Sequence, residues 1–218
     1  MSPDFAIRGV LFDWDGTLLD SYHADTQAYL KMFRELGIHW GVAELNRHYS
    51  PNWHRVYLAA GIPRRLWKQA DRLWGRYYRQ LRPGLLPGAR RVLRTLERRY
   101  TLGLVTSGNR ARIVRQLRFF RLTGVFSARV CAEDGAPRKP HPAPLREALR
   151  RLRLPPSVCV YVGDAPEDIE MARRARVRAV AVLGPFPTHE RLRAAKPLAV
   201  LESIGELPGL LASLESVG

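Results

Sequence analysis

One alternation constrains this chain more than any other feature. After Pro83 and Gly84, helix-period segments near Ala89–Arg99, Arg110–Phe120, Ala143–Arg153 and Glu167–Ala175 each precede an apolar run. The runs are Thr101–Thr106, Ala128–Ala132, Val158–Val162 and Ala179–Leu183. Strands buried on both faces read as nearly unbroken apolar stretches, and strands that alternate with helices pair in parallel. The expected fold class is therefore α/β, a Rossmann-like parallel sheet covered by helices on both faces. One more short strand, around Val10, Leu11 and Phe12, ends at Asp13. Ligands of such sheets bind beyond the carboxyl ends of the strands. The polar residues that follow each run are where chemistry is expected.

From Ser21 to about Arg82 the period is helical throughout. Tyr29, Met32, Phe33 and Leu36 recur at steps of three and four; so do Trp53, Val56, Tyr57 and Ala60, and Leu66, Ala70, Leu73 and Tyr77. Gly37, Pro51, Gly61 and Pro63 punctuate them. This predicts a helical insert over residues 21–82, between the two parts of an α/β core, 1–20 and 83–218. Trp40, Trp53, Trp67 and Trp74 fall in the insert and are read as helix-packing residues. There is no internal repeat.

Four polar clusters follow strands. Asp13-Trp14-Asp15-Gly16-Thr17 offers two carboxylates that a tight turn can aim at one point, one as a nucleophile and one as an acid and base. The competing reading is an ordinary Asp-Gly turn. Thr106-Ser107-Gly108-Asn109 offers hydroxyls and free amides, an anion-binding nest or a plain helix cap. Lys139, in a chain with 32 Arg and 4 Lys, offers a point charge suited to a phosphoryl oxygen or to an aspartate. Its neighbour His141 reads as peripheral. Gly163-Asp164-Ala165-Pro166-Glu167-Asp168 gathers three acids where helix-dipole preference accounts for Glu167 and Asp168 but not for Asp164. Oxygen-rich clusters of this kind suit Mg²⁺. Together the clusters supply every part that phosphoryl transfer needs.

These residues carry a resemblance. Phe12-Asp13-Trp14-Asp15-Gly16-Thr17-Leu18-Leu19-Asp20-Ser21, Val105-Thr106-Ser107, Lys139-Pro140-His141-Pro142 and Val162-Gly163-Asp164 with Asp168 resemble, in order and spacing, the haloacid dehalogenase superfamily. Within it they resemble the phosphoglycolate phosphatase-like branch, over about residues 8–205. The resemblance implies a helical cap at the insert, an aspartyl-phosphate on Asp13, and Asp15 as acid and then base. It implies phosphoryl contacts from Thr106, Ser107 and Lys139. It implies a magnesium site of Asp13, the Asp15 backbone carbonyl, Asp164 and Asp168. A dianion approaching a carboxylate at 4 Å meets roughly a few kcal/mol of repulsion at an effective dielectric of about 20, so a cation and a lysine are needed. Trp14 stands where the family often has an aliphatic residue, and Arg176 where a glycine often ends the following helix. Asp25 stands where phosphomutase relatives carry a histidine, with His23 nearby. Asp15 counts against dehalogenase activity, whose enzymes lack an acid there.

The expected function is a Mg²⁺-dependent phosphatase for a small phosphorylated metabolite. The alternatives are a phosphomutase or pyrophosphatase of the same family, or a basic nucleic-acid-binding protein with a vestigial site. The formal net charge is +16, and the insert holds 11 basic and 4 acidic residues. A basic insert over a phosphate site suggests an acidic substrate; arginine-rich composition alone is the other explanation. The stripe Arg112, Arg115, Arg118 and Arg121 motivates the nucleic-acid alternative, but Ile113, Val114, Leu117 and Phe120 make it read as a solvated helix face. Nucleic acid is not the expected partner. No apolar run is long enough to span a bilayer and no secretion signal is seen. Cys131 and Cys159 read as buried thiols in a reducing, cytoplasmic setting. A monomer or a homodimer is expected.

Overall fold

The computed structural model describes residues 6–134 and 137–216. Six strands, β1 (Gly9–Phe12), β2 (Thr101–Val105), β3 (Ala128–Val130), β4 (Cys159–Gly163), β5 (Arg178–Val182) and β6 (Ala199–Leu201), form one sheet in the order β3-β2-β1-β4-β5-β6. Every pairing is parallel. The order reverses between β1 and β4, so connections diverge there and leave a crevice at the strand ends. Asp13 follows β1 and Asp164 follows β4, on either side of that crevice.

Alternate residues of each strand feed two cores. Val10, Phe12, Leu102, Leu104, Val160 and Val162 pack with α5 (Ala89–Leu96), α6 (Arg110–Phe119) and α10 (Leu207–Ser216). Leu11, Tyr161, Ala179 and Ala181 face α7 (Ala143–Leu152), α8 (Pro166–Ala175) and α9 (His189–Ala194) on the other side. Leu11 and Leu104 have no solvent-exposed surface. Truncating either to alanine would cost about 2–5 kcal/mol.

Between β1 and Leu85 there are four α-helices among the described residues: α1 (Tyr22–Glu35), α2 (Val42–His48), α3 (Trp53–Ala59) and α4 (Trp67–Tyr78). Tyr29, Met32, Phe33, Leu45, Val56, Tyr57 and Ala70 form their own core, with Trp40, Trp53, Trp67 and Trp74 packed at its edge. The chain leaves and rejoins the sheet region side by side. Asp20 N–H donates to Gly84 O and Leu86 N–H to Leu18 O, both at 2.9 Å.

The sequence-based strands lie within a residue or two of those observed. Ala128–Ala132 is shorter because residues 132–134 wind into a 3₁₀ turn. The expectation named nothing after Leu183, where α9, β6 and α10 complete the sheet. Cys131 and Cys159 are buried and free. Burial pushes both thiols up, to about 11.

Candidate active site

The loop after β1 is held by a close backbone approach. Gly16 sits at φ +82°, and a Cβ there would lie 2.1 Å from Asp164 Oδ2, so only glycine fits. Thr17 Oγ1 donates to Asp164 Oδ1 at 3.0 Å, tying the loop after β1 to the loop after β4.

Lys139 is buried at the centre. Its Nζ donates to Asp13 Oδ1 at 2.6 Å, to Asp168 Oδ1 at 2.7 Å and to the Tyr161 hydroxyl at 2.9 Å. All three of its protons are thereby used. Asp168 Oδ2 also accepts from the Ala165 N–H. Asp13, Asp164 and Asp168 each bring a carboxylate oxygen within 4.8 Å of the others. Burial pushes the Asp13 carboxyl up, to about 7, against the pull of Lys139, with Asp168 and Asp15 adding to the rise. Burial, then Asp13 and Asp168, push Asp164 well above the carboxylate range. Three buried carboxylates with a single lysine are short of positive charge. The donor set is all oxygen and compact, which fits a hard divalent cation.

The other expected residues lie close by. Asp15 and Ser107 line the same cavity as Asp13. Thr106 is buried behind it, and its hydroxyl accepts from the Gly108 N–H at 2.9 Å. Asn109 caps α6, accepting from Arg112 N–H at 2.9 Å. His141 is exposed and accepts from the Ala143 N–H.

Arg112 requires a correction. It does not belong to a solvated stripe: it is only 6% exposed and grips Asp15 bidentately, Nη1 to Oδ1 at 2.7 Å and Nη2 to Oδ2 at 2.6 Å. The turn of α6 that carries it abuts the loop after β1, so its helical position alone could not place it in solvent. Arg115, Arg118 and Arg121 are exposed, as expected. Tyr161, whose hydroxyl lies among Lys139, Asp168 and the Val105 carbonyl, was also not anticipated.

The cavity, about 300 Å³, runs from Asp13 into the helical insert. Its insert wall is aromatic and acidic: Tyr29, Trp53, Tyr57 and Trp74 with Asp25 and Asp71. Here the expectation of a basic wall fails. None of the insert's arginines or lysines lines the cavity, and all but the half-buried Lys31 are exposed. Helical amphipathicity sends long cations outward. Two cations do line it, both from the core: Arg112, already paired with Asp15, and Arg138, stacked 3.6 Å from the Trp53 ring centroid and hydrogen-bonded to His54. Trp53 and Trp74 thus have a second role besides packing.

A parallel sheet with acids and a lysine at its switch point, roofed by helices, is an α/β protein of the Rossmann-like class with its site at the strand ends. The family model of haloacid dehalogenase-like hydrolases matches residues 10–182. The chain belongs to that family and is one of its phosphatases. It is 30% identical over 219 residues to a Caldanaerobacter subterraneus protein provisionally named pyrophosphatase PpaX, covering 92% of this chain and 93% of that one. It is 26% identical to a phosphoglycolate phosphatase of Yersinia pestis, covering 93% and 92%. The haloacid dehalogenase-like protein SP0104 of Streptococcus pneumoniae superposes with a TM-score of 0.81 at 22% identity, covering 94% and 98%.

Proposed function

We propose that the protein is a Mg²⁺-dependent phosphatase that hydrolyses a small phosphorylated metabolite through an aspartyl-phosphate on Asp13, in the cytoplasm. The supporting observation is the convergence of Asp13, Lys139, Asp164 and Asp168, with Asp13 and Asp164 lining the cavity and Lys139 and Asp168 buried beside them. Asp13 attacks phosphorus, and the bond to the leaving oxygen breaks as Asp15 supplies its proton. Asp15 then takes a proton from water, which attacks the phosphorus and frees Asp13. Lys139 keeps Asp13 ionised and aimed, and Thr106 and Ser107 hold phosphoryl oxygens. Asp13, Asp164, Asp168 and the Asp15 carbonyl would hold Mg²⁺, which neutralises the charge gathered there. Residues 21–82 act as a cap that excludes water.

Among the described residues, the chamber beyond the phosphoryl site carries Asp25, Asp71 and Glu133 against one cation besides the Asp15-paired Arg112, the Trp53-stacked Arg138. That balance favours an alcohol leaving group, neutral or cationic, over the anionic leaving group of pyrophosphate. Aromatic walls suit a compact, partly apolar body with hydroxyls. The test is a panel of phosphorylated metabolites and pyrophosphate, with and without Mg²⁺, beside Asp13→Asn. Expected are Mg²⁺-dependent turnover of monoesters above pyrophosphate and loss of turnover in the variant. Undiminished activity in Asp13→Asn removes Asp13 from the role; pyrophosphate as the best substrate reverses the leaving-group reading.

A further inference from the structure

The pair of Arg112 with Asp15 reaches further than a local salt bridge. The guanidinium fork holds both oxygens of Asp15, fixing the carboxylate's rotation as well as its position. The same arginine touches the last helix of the insert. Its Nη1 donates to the Tyr78 hydroxyl at 3.3 Å, and its guanidinium lies 5.0 Å from the Tyr78 ring centroid and 5.8 Å from that of Trp74. Tyr78 closes α4, a few residues before the chain rejoins the core. A second tie runs parallel: Trp14, between the two aspartates, donates to Gln116 one turn along α6 at 3.0 Å. Gln116 in turn donates to the Tyr78 hydroxyl at 3.4 Å. The nucleophile loop is therefore pinned to α6 at two points, and both pins meet Tyr78.

We propose that Arg112 is a positioning residue for Asp15, and that through Tyr78 it ties the aim of that carboxylate to the seating of the helical insert. This rests on the reading of Asp15 as the acid that protonates the leaving oxygen. When the insert is seated, aromatic rings shield the guanidinium, and its hold on Asp15 is strong because water is excluded. When the insert lifts, Tyr78 and Trp74 leave, water reaches Arg112, and the hold weakens. The carboxyl is then aimed only while the cavity is closed; the fork takes one lone pair of each oxygen and leaves another to carry the proton that Asp15 gives the leaving oxygen.

The test compares two monoesters of similar bulk in Mg²⁺. Benzyl phosphate releases an alkoxide that needs a proton; p-nitrophenyl phosphate releases a stabilised phenolate that does not. The quantity is kcat/KM, which stops at formation of phospho-Asp13 and excludes the shared second step. In Arg112→Met, benzyl phosphate should lose about 100-fold and p-nitrophenyl phosphate less than about fivefold. Arg112→Lys, a single-point cation that keeps the buried charge, should recover part of the loss and carries the comparison if Arg112→Met does not fold. Asp15→Asn with Arg112→Met should be no worse on benzyl phosphate than Asp15→Asn alone. Tyr78→Phe should show the same substrate selectivity on a smaller scale. Equal losses on both esters overturn the positioning role, and an unselective Tyr78→Phe overturns the link to the insert. A wild-type protein that hydrolyses neither these esters nor any monoester of the metabolite panel overturns the proposed reaction itself, a distinct result.

Discussion

Asp13, Lys139 and Asp168 form a buried chain of charge in which each residue depends on its neighbour. Removing the Asp13 negative charge by Asp13→Asn should lower kcat by about four orders of magnitude, the scale seen when a single residue of a catalytic unit is lost. Loss of steady-state turnover with a circular dichroism spectrum unlike the parent's would instead point to misfolding. Asp25 permits a second prediction. Burial first, then Asp15, push its carboxyl up to about 7, against Arg112 and the Trp74 hydrogen bond. A carboxyl with a higher pKa folded than unfolded favours folding at low pH, and that contribution is lost as pH rises from about 4 through 7. The wild type should therefore lose more thermal stability than Asp25→Asn between those values. Asp13 and Asp164 act with the same sign in both proteins, so the difference isolates Asp25; coincident curves of Tm against pH contradict it. Which residues meet at the strand ends was legible where type and position coincide, as at Asp13, Asp15, Lys139 and Asp164. Arg112 was not legible. One arginine among 32 carries no signal of its own, and its burial is decided by how α6 meets a loop 97 residues away.

Four helices of the core end in a left-handed residue with a long cationic side chain: Arg121 after α6, Arg153 after α7, Arg176 after α8 and Lys196 after α9. Glycine is the usual occupant, because a Cβ in this conformation costs about 1–2 kcal/mol. A cation there regains about 0.3–1 kcal/mol from the helix dipole. Replacing Arg153 and Arg176 by glycine should raise stability by at most about 1 kcal/mol each after glycine's own entropy cost, a Tm rise of no more than about 2 °C per site. Arg176 was flagged from the sequence by its departure from a family glycine. The elements themselves were read wherever a run was long enough for its period to appear. β6 has three residues and α9 six, too few for either period to declare itself. Their place is set by the sheet edge they cover.

At the scale of the molecule, the helical insert and the core meet across polar contacts as well as aromatic ones. Ser50 Oγ donates to the buried Glu167 Oε1 at 2.7 Å, and Tyr49 stacks on Phe186 with ring centroids 4.5 Å apart. Loading the acidic cluster should stabilise the whole. Mg²⁺ at about 100 times its Kd adds about 2.7 kcal/mol, seen as a Tm rise of several degrees that Asp164→Asn abolishes. A rise of equal size in that variant would place the ion elsewhere. No helix among the described residues is long and apolar enough to cross a membrane. The net charge of the insert was legible in its residues but its direction was not, because amphipathicity decides which side chains face the cavity, and a sum over residues discards it.

The outward-facing arginines of the insert have an evolutionary consequence. Since the chamber is walled by rings and acids while the cations stand in water, codon drift can recolour the outside of this roof without touching selectivity. Exchanging its exposed arginines for lysine wholesale should leave substrate ranking as it was, whereas one change at Asp25 or Trp53 would redraw it.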